Sequence, residues 1–63
     1  MDKINLREAR LSANLTMVEV AKEIGVAQST ITSWETGKSK PNNAELYYMA
    51  MLYGCDVDDI FLP

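Results

Sequence analysis

Thr16-Met17-Val18-Glu19-Val20-Ala21-Lys22-Glu23-Ile24-Gly25-Val26-Ala27-Gln28-Ser29-Thr30-Ile31-Thr32-Ser33-Trp34-Glu35-Thr36-Gly37 carries more structural information than any other part of the chain. Thr16 followed by Glu19 has the spacing of a capping box, in which each side chain satisfies the other's backbone N–H. It opens a helix through Ile24 with Val20, Ala21 and Ile24 inward. Gly25 ends that helix and reverses the chain, at a point where a side chain is expected to clash. After Val26, residues Ala27 to Thr36 predict a second helix with Ile31 and Trp34 inward, closed by Gly37. Ala21 is small enough for the two helices to approach closely.

Outward from this stretch, apolar residues keep recurring at helical spacing, and the chain reads as five short helices. The first runs from about Ile4 to Ser12 with Leu6, Ala9 and Ala13 on one face, and Asn14 suits a left-handed turn after it. Lys38 to Pro41 is a connecting loop. Asn42 with Glu45 caps a fourth helix whose inward stripe is Leu46, Met49, Ala50 and Tyr53, before Gly54. Asp56 caps a last helix from Val57 to about Leu62, with Val57, Ile60 and Phe61 as apolar contacts and Asp58 and Asp59 complementing its N-terminal dipole. The expectation is an all-α fold, one compact five-helix domain over residues 1–63.

Composition narrows the chemistry. A chain of 63 residues buries only about 60 % of the surface its unfolded form exposes, too little for a deep substrate cavity. There is no His, so the commonest general base and a principal zinc ligand are missing. No nucleophile constellation or metal-ligating cluster stands in their place, and neither an enzyme, a cofactor, a metal nor a small-molecule substrate is expected. Cys55, the single cysteine, cannot form an intrachain disulfide, which suits a reducing cytoplasm. Its acidic surroundings favour apolar packing over a reactive thiol. Asp56, Asp58 and Asp59 lack the Gly and the later Glu of a calcium loop, and are read as helix caps. No apolar run is long enough for a signal peptide or a membrane span, so a soluble, cytoplasmic chain without membrane partners is expected.

Charge is unevenly placed. All six basic residues fall in the first 40 positions beside five acidic ones, a local net of +1, and the remaining residues hold four acidic groups and no basic one, which gives −3 overall. Such a chain is not a nonspecific nucleic-acid binder held by phosphate neutralisation alone. Residues 16–37 nevertheless have the arrangement of a helix-turn-helix, and the outward residues of its second helix, Gln28, Ser29, Thr32 and Ser33, are polar and uncharged. Gln can read adenine through N6 and N7, and Ser or Thr can reach several base edges or a thymine methyl. Lys38 and Lys40 follow where a loop after a recognition helix meets the phosphate backbone.

The pattern of Leu15, Thr16, Val20, Ala21, Ile24, Gly25, Val26, Ile31, Trp34, Glu35, Gly37 and Pro41 closely resembles the Cro and repressor type (XRE-like) of helix-turn-helix. The similarity continues through Leu46, Met49, Ala50, Gly54, Val57, Asp59, Ile60 and Phe61, and needs no insertion from Thr16 to Gly54. The resemblance implies a five-helix, lambda-repressor-like domain acting as a phage or prophage transcriptional regulator on double-stranded operator DNA. It places the recognition helix, residues 28–36, in the major groove, usually of a palindromic operator bound by a two-fold dimer. Base readout would fall to Gln28, Ser29, Thr32 and Ser33, and phosphate contacts to Thr30, Thr36, Lys38 and Lys40. It also implies a partly buried ion pair between Arg10 and Glu35 that fixes the recognition helix to the scaffold. The chain departs from the family pattern at Met17, where Gln is frequent, at Ala27, where a Ser or Thr cap is common, at Ser33, where a longer side chain is frequent, and at Thr36, commonly Asn.

The fourth helix adds a second surface. Beyond its inward stripe it carries Tyr47, Tyr48, Met51 and Leu52, and a helix apolar all round is usually covered all round. With Phe61 and Leu62 these residues are candidates for an interface with another chain, in which Tyr and Met are enriched. That surface, the acidic charge and the departures at Met17 and Ala27 support an alternative: an anti-repressor or modulator of the same fold that binds another regulator protein instead of DNA.

Overall fold

In the computed structural model, residues 3–63 are described; Met1 and Asp2, whose carboxylate enters the charge balance above, lie outside. Three helices open on the same device. Asn5, Thr16 and Asn42 accept a hydrogen bond from the backbone N–H of Glu8, Glu19 and Glu45 at 2.8, 3.1 and 2.8 Å. The three glutamates accept in return from the capping residues' own N–H groups at 3.2, 2.9 and 2.9 Å. These reciprocal pairs start α1 (Leu6–Ser12), α2 (Met17–Ile24) and α4 (Asn43–Tyr53). The remaining helix, α3 (Gln28–Thr36), starts at Ala27 with no side-chain cap. Gly25, Gly37 and Gly54 take left-handed conformations that close α2, α3 and α4, and Asn14, with φ 59°, reverses the chain after α1.

The helices enclose Leu6 and Ala9 from α1, Val20 and Ala21 from α2, Ile31 and Trp34 from α3, and Met49, Ala50 and Tyr53 from α4. The pair α2 and α3 pack most extensively on each other. Leu46, from the inward stripe expected of α4, is half-buried and packs against this core.

Both ends of the chain correct the sequence expectation. Ile4–Asn5 is not the start of α1 but a short strand, β1, and the expected last helix is a single 3₁₀ turn at Val57–Asp59 followed by a strand, β2, at Ile60–Phe61. The two strands pair in parallel, Ile4 with Ile60 and Asn5 with Phe61. Among the described residues the domain is therefore mostly helical with four α-helices, not five. Locally, the Asp56 carboxylate accepts from the N–H of Asp58 at 3.1 Å, and the Asp56 carbonyl from the N–H of Asp59 at 2.9 Å, so one tight turn is completed. β-Branched Ile60 then continues extended into the core, and Pro63 disfavours a helical Leu62 before it. No helix among the described residues is long and apolar enough to cross a membrane.

Candidate nucleic-acid interface

The turn between α2 and α3 rests on one carbonyl. The N–H groups of Gly25 and Val26 both donate to the Ala21 oxygen, at 2.8 and 3.0 Å. Gly25 sits at φ 87°, yet a Cβ built there meets nothing within 4 Å. The clash expected at this position is absent; glycine is favoured because a side chain strains a left-handed backbone, not because space is lacking.

From that turn α3 projects with one face inward. At about 100° per residue, Ile31 and Trp34 lie on the buried side, and Gln28, Ser29, Thr32, Ser33 and Thr36 share an arc of roughly 140° on the opposite side. Gln28, Ser29, Thr32 and Thr36 are exposed, and Ser33 and Thr30 are half-buried. No charged side chain interrupts the arc. Lys38 and Lys40 are exposed just beyond it, where the N–H groups of Lys38 and Ser39 fold back onto the Ser33 carbonyl at 2.9 and 3.3 Å.

The hydroxyls in this arc are not equally free. Thr32 Oγ1 lies 3.3 Å from the Met17 sulfur and 3.3 Å from the Gln28 carbonyl, and its one proton is shared between those acceptors. Thr36 Oγ1 donates to the Thr32 carbonyl at 2.8 Å. Met17 thus braces the middle of α3 through Thr32. Nothing in the sequence pattern pointed to this bond, since Met17 stood out there only as a departure from the frequent Gln.

Beneath the arc, Arg10 and Glu35 are brought together. Arg10 Nε donates to Glu35 Oε2 at 2.8 Å, Nη2 to Oε1 at 3.3 Å, and Nη1 to the Leu15 carbonyl at 2.9 Å. Both side chains are buried. The hydrogen bond to Glu35 is the main cause of a raised Arg10 pKa. The fork ties α1, the loop before α2, and the end of α3 into one unit. The Tyr53 hydroxyl lies buried without a hydrogen-bond partner among the described residues; burial first, and then the Glu35 charge, push its pKa up to about 12. Elsewhere, the Thr16 backbone and side chain hold the Glu19 carboxyl below its ordinary pKa, and burial, with Asp59 and Asp56, raises the half-buried Cys55 thiol. Among the described residues no group of His, Cys, Asp and Glu is placed to hold a metal ion.

A helix-turn-helix family model matches residues 6–60. The chain belongs to the XRE-type helix-turn-helix family. The match takes in all four helices and ends at Ile60 of β2. Over 60 residues the chain is 33 % identical to an uncharacterised HTH-type transcriptional regulator of Archaeoglobus fulgidus, covering 95 % of this chain and 84 % of that one. A similar regulator of Methanocaldococcus jannaschii is 35 % identical over 60 residues, 95 % of this chain and 91 % of that one. An uncharacterised HTH-type regulator of Bacillus subtilis is 38 % identical over 55 residues, 87 % of this chain and 49 % of that one. No solved structure gives a significant match. Transcriptional regulators of this family are DNA-binding proteins, a non-enzymatic class.

The residues expected at a protein interface divide in two. Tyr47, Tyr48 and Met51 on α4 and Phe61 on β2 are exposed, whereas Leu52 and Leu62 are half-buried and pack against the core. Sequence reasoning did not anticipate where the C-terminal end runs: Pro63 lies beside the turn that closes α3, with its Cγ 3.2 Å from where a Cβ on Gly37 would sit.

Proposed function

We propose that the chain is a sequence-specific DNA-binding transcriptional regulator that lays α3 in the major groove. Gln28, Ser29, Thr32 and Ser33 read base edges, and Lys38 and Lys40, with Thr30 and Thr36, meet the flanking phosphates. The observation that carries this reading is the uncharged polar arc of α3, held out by the Gly25 turn and the Arg10–Glu35 fork and followed at once by two exposed lysines. Neutral polar side chains suit base edges, and cations at the border suit phosphates. Because the whole chain is net acidic, affinity depends on this local arrangement. A homodimer joined through Tyr47, Tyr48 and Met51 would present two such helices to a palindromic operator.

The test is selection of bound duplexes from a random-sequence pool, followed by titration of the enriched duplex between about 50 and 200 mM salt. The expected result is a defined consensus whose affinity falls steeply with salt. Lys38→Ala with Lys40→Ala should reduce the slope of log affinity against log salt by about 0.9 for each phosphate no longer neutralised, without changing the consensus. Absence of enrichment at low salt would overturn the reading. The exposed apolar side chains of α4 favour the modulator alternative in that event, tested by whether the chain alters another regulator's operator occupancy.

A further inference from the structure

Resting on the DNA-reading role proposed above, we infer that Pro63 is a positioning residue for phosphate contact: its ring braces the Gly37 turn that ends α3 and so holds Lys38 and Lys40 in place for the phosphates beside the half-site. Three glycines close helices in the left-handed conformation, yet their surroundings differ. A Cβ at Gly25 or Gly54 would meet nothing within 4 Å, whereas one at Gly37 would meet Pro63 Cγ at 3.2 Å, Cβ at 3.3 Å and the carbonyl carbon at 3.8 Å. The first two distances are tighter than ordinary van der Waals contact, so the absent side chain of Gly37 admits the proline ring as well as permitting the φ of 84°. The three nearest atoms all belong to Pro63, which makes it the main cover of this turn.

The turn gains from an external brace because its own hydrogen bonds are shared. The N–H groups of Gly37, Lys38 and Ser39 all donate to the Ser33 carbonyl, whose oxygen has only two lone pairs. Beyond it Lys38, Ser39 and Lys40 are exposed, and Pro41 is buried. The basic loop is thus tied at its far end by Pro41 and at its near end by the contact of Gly37 with Pro63. Pro63 serves as an anchor because the residues before it are fixed: Leu62 packs against the core, and Ile60 is buried and paired with Ile4. Gly37 and Pro63 themselves remain exposed, so removing the ring opens no cavity in the core and acts on the turn alone. A loop ordered before it meets its ligand does not lose that freedom on binding, and affinity rises accordingly.

The test compares the wild type with Pro63→Gly, which removes the ring, and Pro63→Val, which restores carbons at Cβ and Cγ. Urea midpoints of both variants should stay near the wild type, as is usual for exposed substitutions. Without DNA, hydrogen exchange at the Lys38 and Ser39 amides should be faster in Pro63→Gly, close to wild type in Pro63→Val, and unchanged in α1 and α2 throughout. On duplexes enriched from the random pool, Pro63→Gly should weaken binding about fivefold, the size of moving the ordering of one side chain into the binding step. The consensus should not change, and Pro63→Val should recover most of the loss. The deciding readout is a cycle with the lysines: in a Lys38→Ala, Lys40→Ala background, Pro63→Gly should cost nothing further. A merely structural role predicts the same loss in both backgrounds. That result, or unchanged exchange at Lys38 and Ser39, overturns this inference while leaving DNA reading intact. No enrichment at all overturns both.

Discussion

Arg10 and Glu35 place opposite charges in the interior of a very small domain, and each of the three guanidinium nitrogens donates one hydrogen bond. Removing one partner strands the other, at a cost of about 3–5 kcal/mol, a large share of the stability available to a domain this size. Glu35→Ala should therefore lower the urea midpoint sharply or unfold the chain. The double replacement Arg10→Met with Glu35→Leu should be more stable than either single one, because no buried charge remains; an equal or greater drop in the double would contradict this. Tyr53 gives a separate handle. Its pKa is raised to about 12 from 10.0, so the folded state holds the proton longer than the unfolded one. Its stabilising contribution is complete below pH 10 and is lost as the pH rises from about 10 to 12, by up to about 2 kcal/mol. Tyr53→Phe should abolish that part of the alkaline loss. At pH 8 it should match the wild type or exceed it by up to about 1 kcal/mol, since the hydroxyl removed is buried and unpartnered. Urea unfolding of both proteins at pH 8 and pH 11 makes the comparison.

The uncapped start of α3 is the weak point among the elements. Ala27 already has φ −72° and ψ 151°, the extended conformation of a capping residue, but offers no oxygen. Ala27→Ser should accordingly stabilise the fold by about 1 kcal/mol, read as a higher urea midpoint with an unchanged slope; no gain would mean that the first N–H groups of α3 gain nothing from a cap. The capped helices were legible because their signals are local. Thr16 with Glu19 and Asn42 with Glu45 stand three residues apart, and so do Asn5 and Glu8, the same signal obscured by the apolar Ile4 before it. The C-terminal strand was not legible for the opposite reason. Val57, Ile60 and Phe61 fit helical spacing as well as any short segment, and what makes Ile60–Phe61 a strand is Ile4–Asn5 at the other end of the chain. No window of sequence contains both. The site divides in the same way: the polar arc of α3 follows from its periodicity, whereas the inward turn of the Thr32 hydroxyl depends on Met17 in a neighbouring helix.

At the scale of the whole molecule, shape and surface bear on how two copies would share one operator. The longest dimension is 31 Å, close to the roughly 34 Å between half-sites one turn of DNA apart, so two copies on successive major grooves can still touch. On α4, Tyr47 and Met51 stand four residues apart on one face, with Tyr48 beside them, and they are 61 %, 76 % and 40 % exposed. At about 200 Å² for a large side chain these three offer roughly 350 Å², nearly half of the ~800 Å² each partner contributes to a standard interface. No charge lies among them, so a self-complementary, two-fold contact brings no like charges together. Tyr47→Glu with Met51→Glu should then turn a concentration-dependent dimer into a monomer in sedimentation experiments. The urea midpoint should move little, because exposed substitutions usually change stability by less than about 0.5 kcal/mol. Affinity for a duplex with two half-sites should fall, and affinity for a single half-site should not. A wild-type chain that remains monomeric on a two-site duplex, with the variant binding that duplex equally well, would remove α4 from the assembly and leave α3 to act one domain at a time.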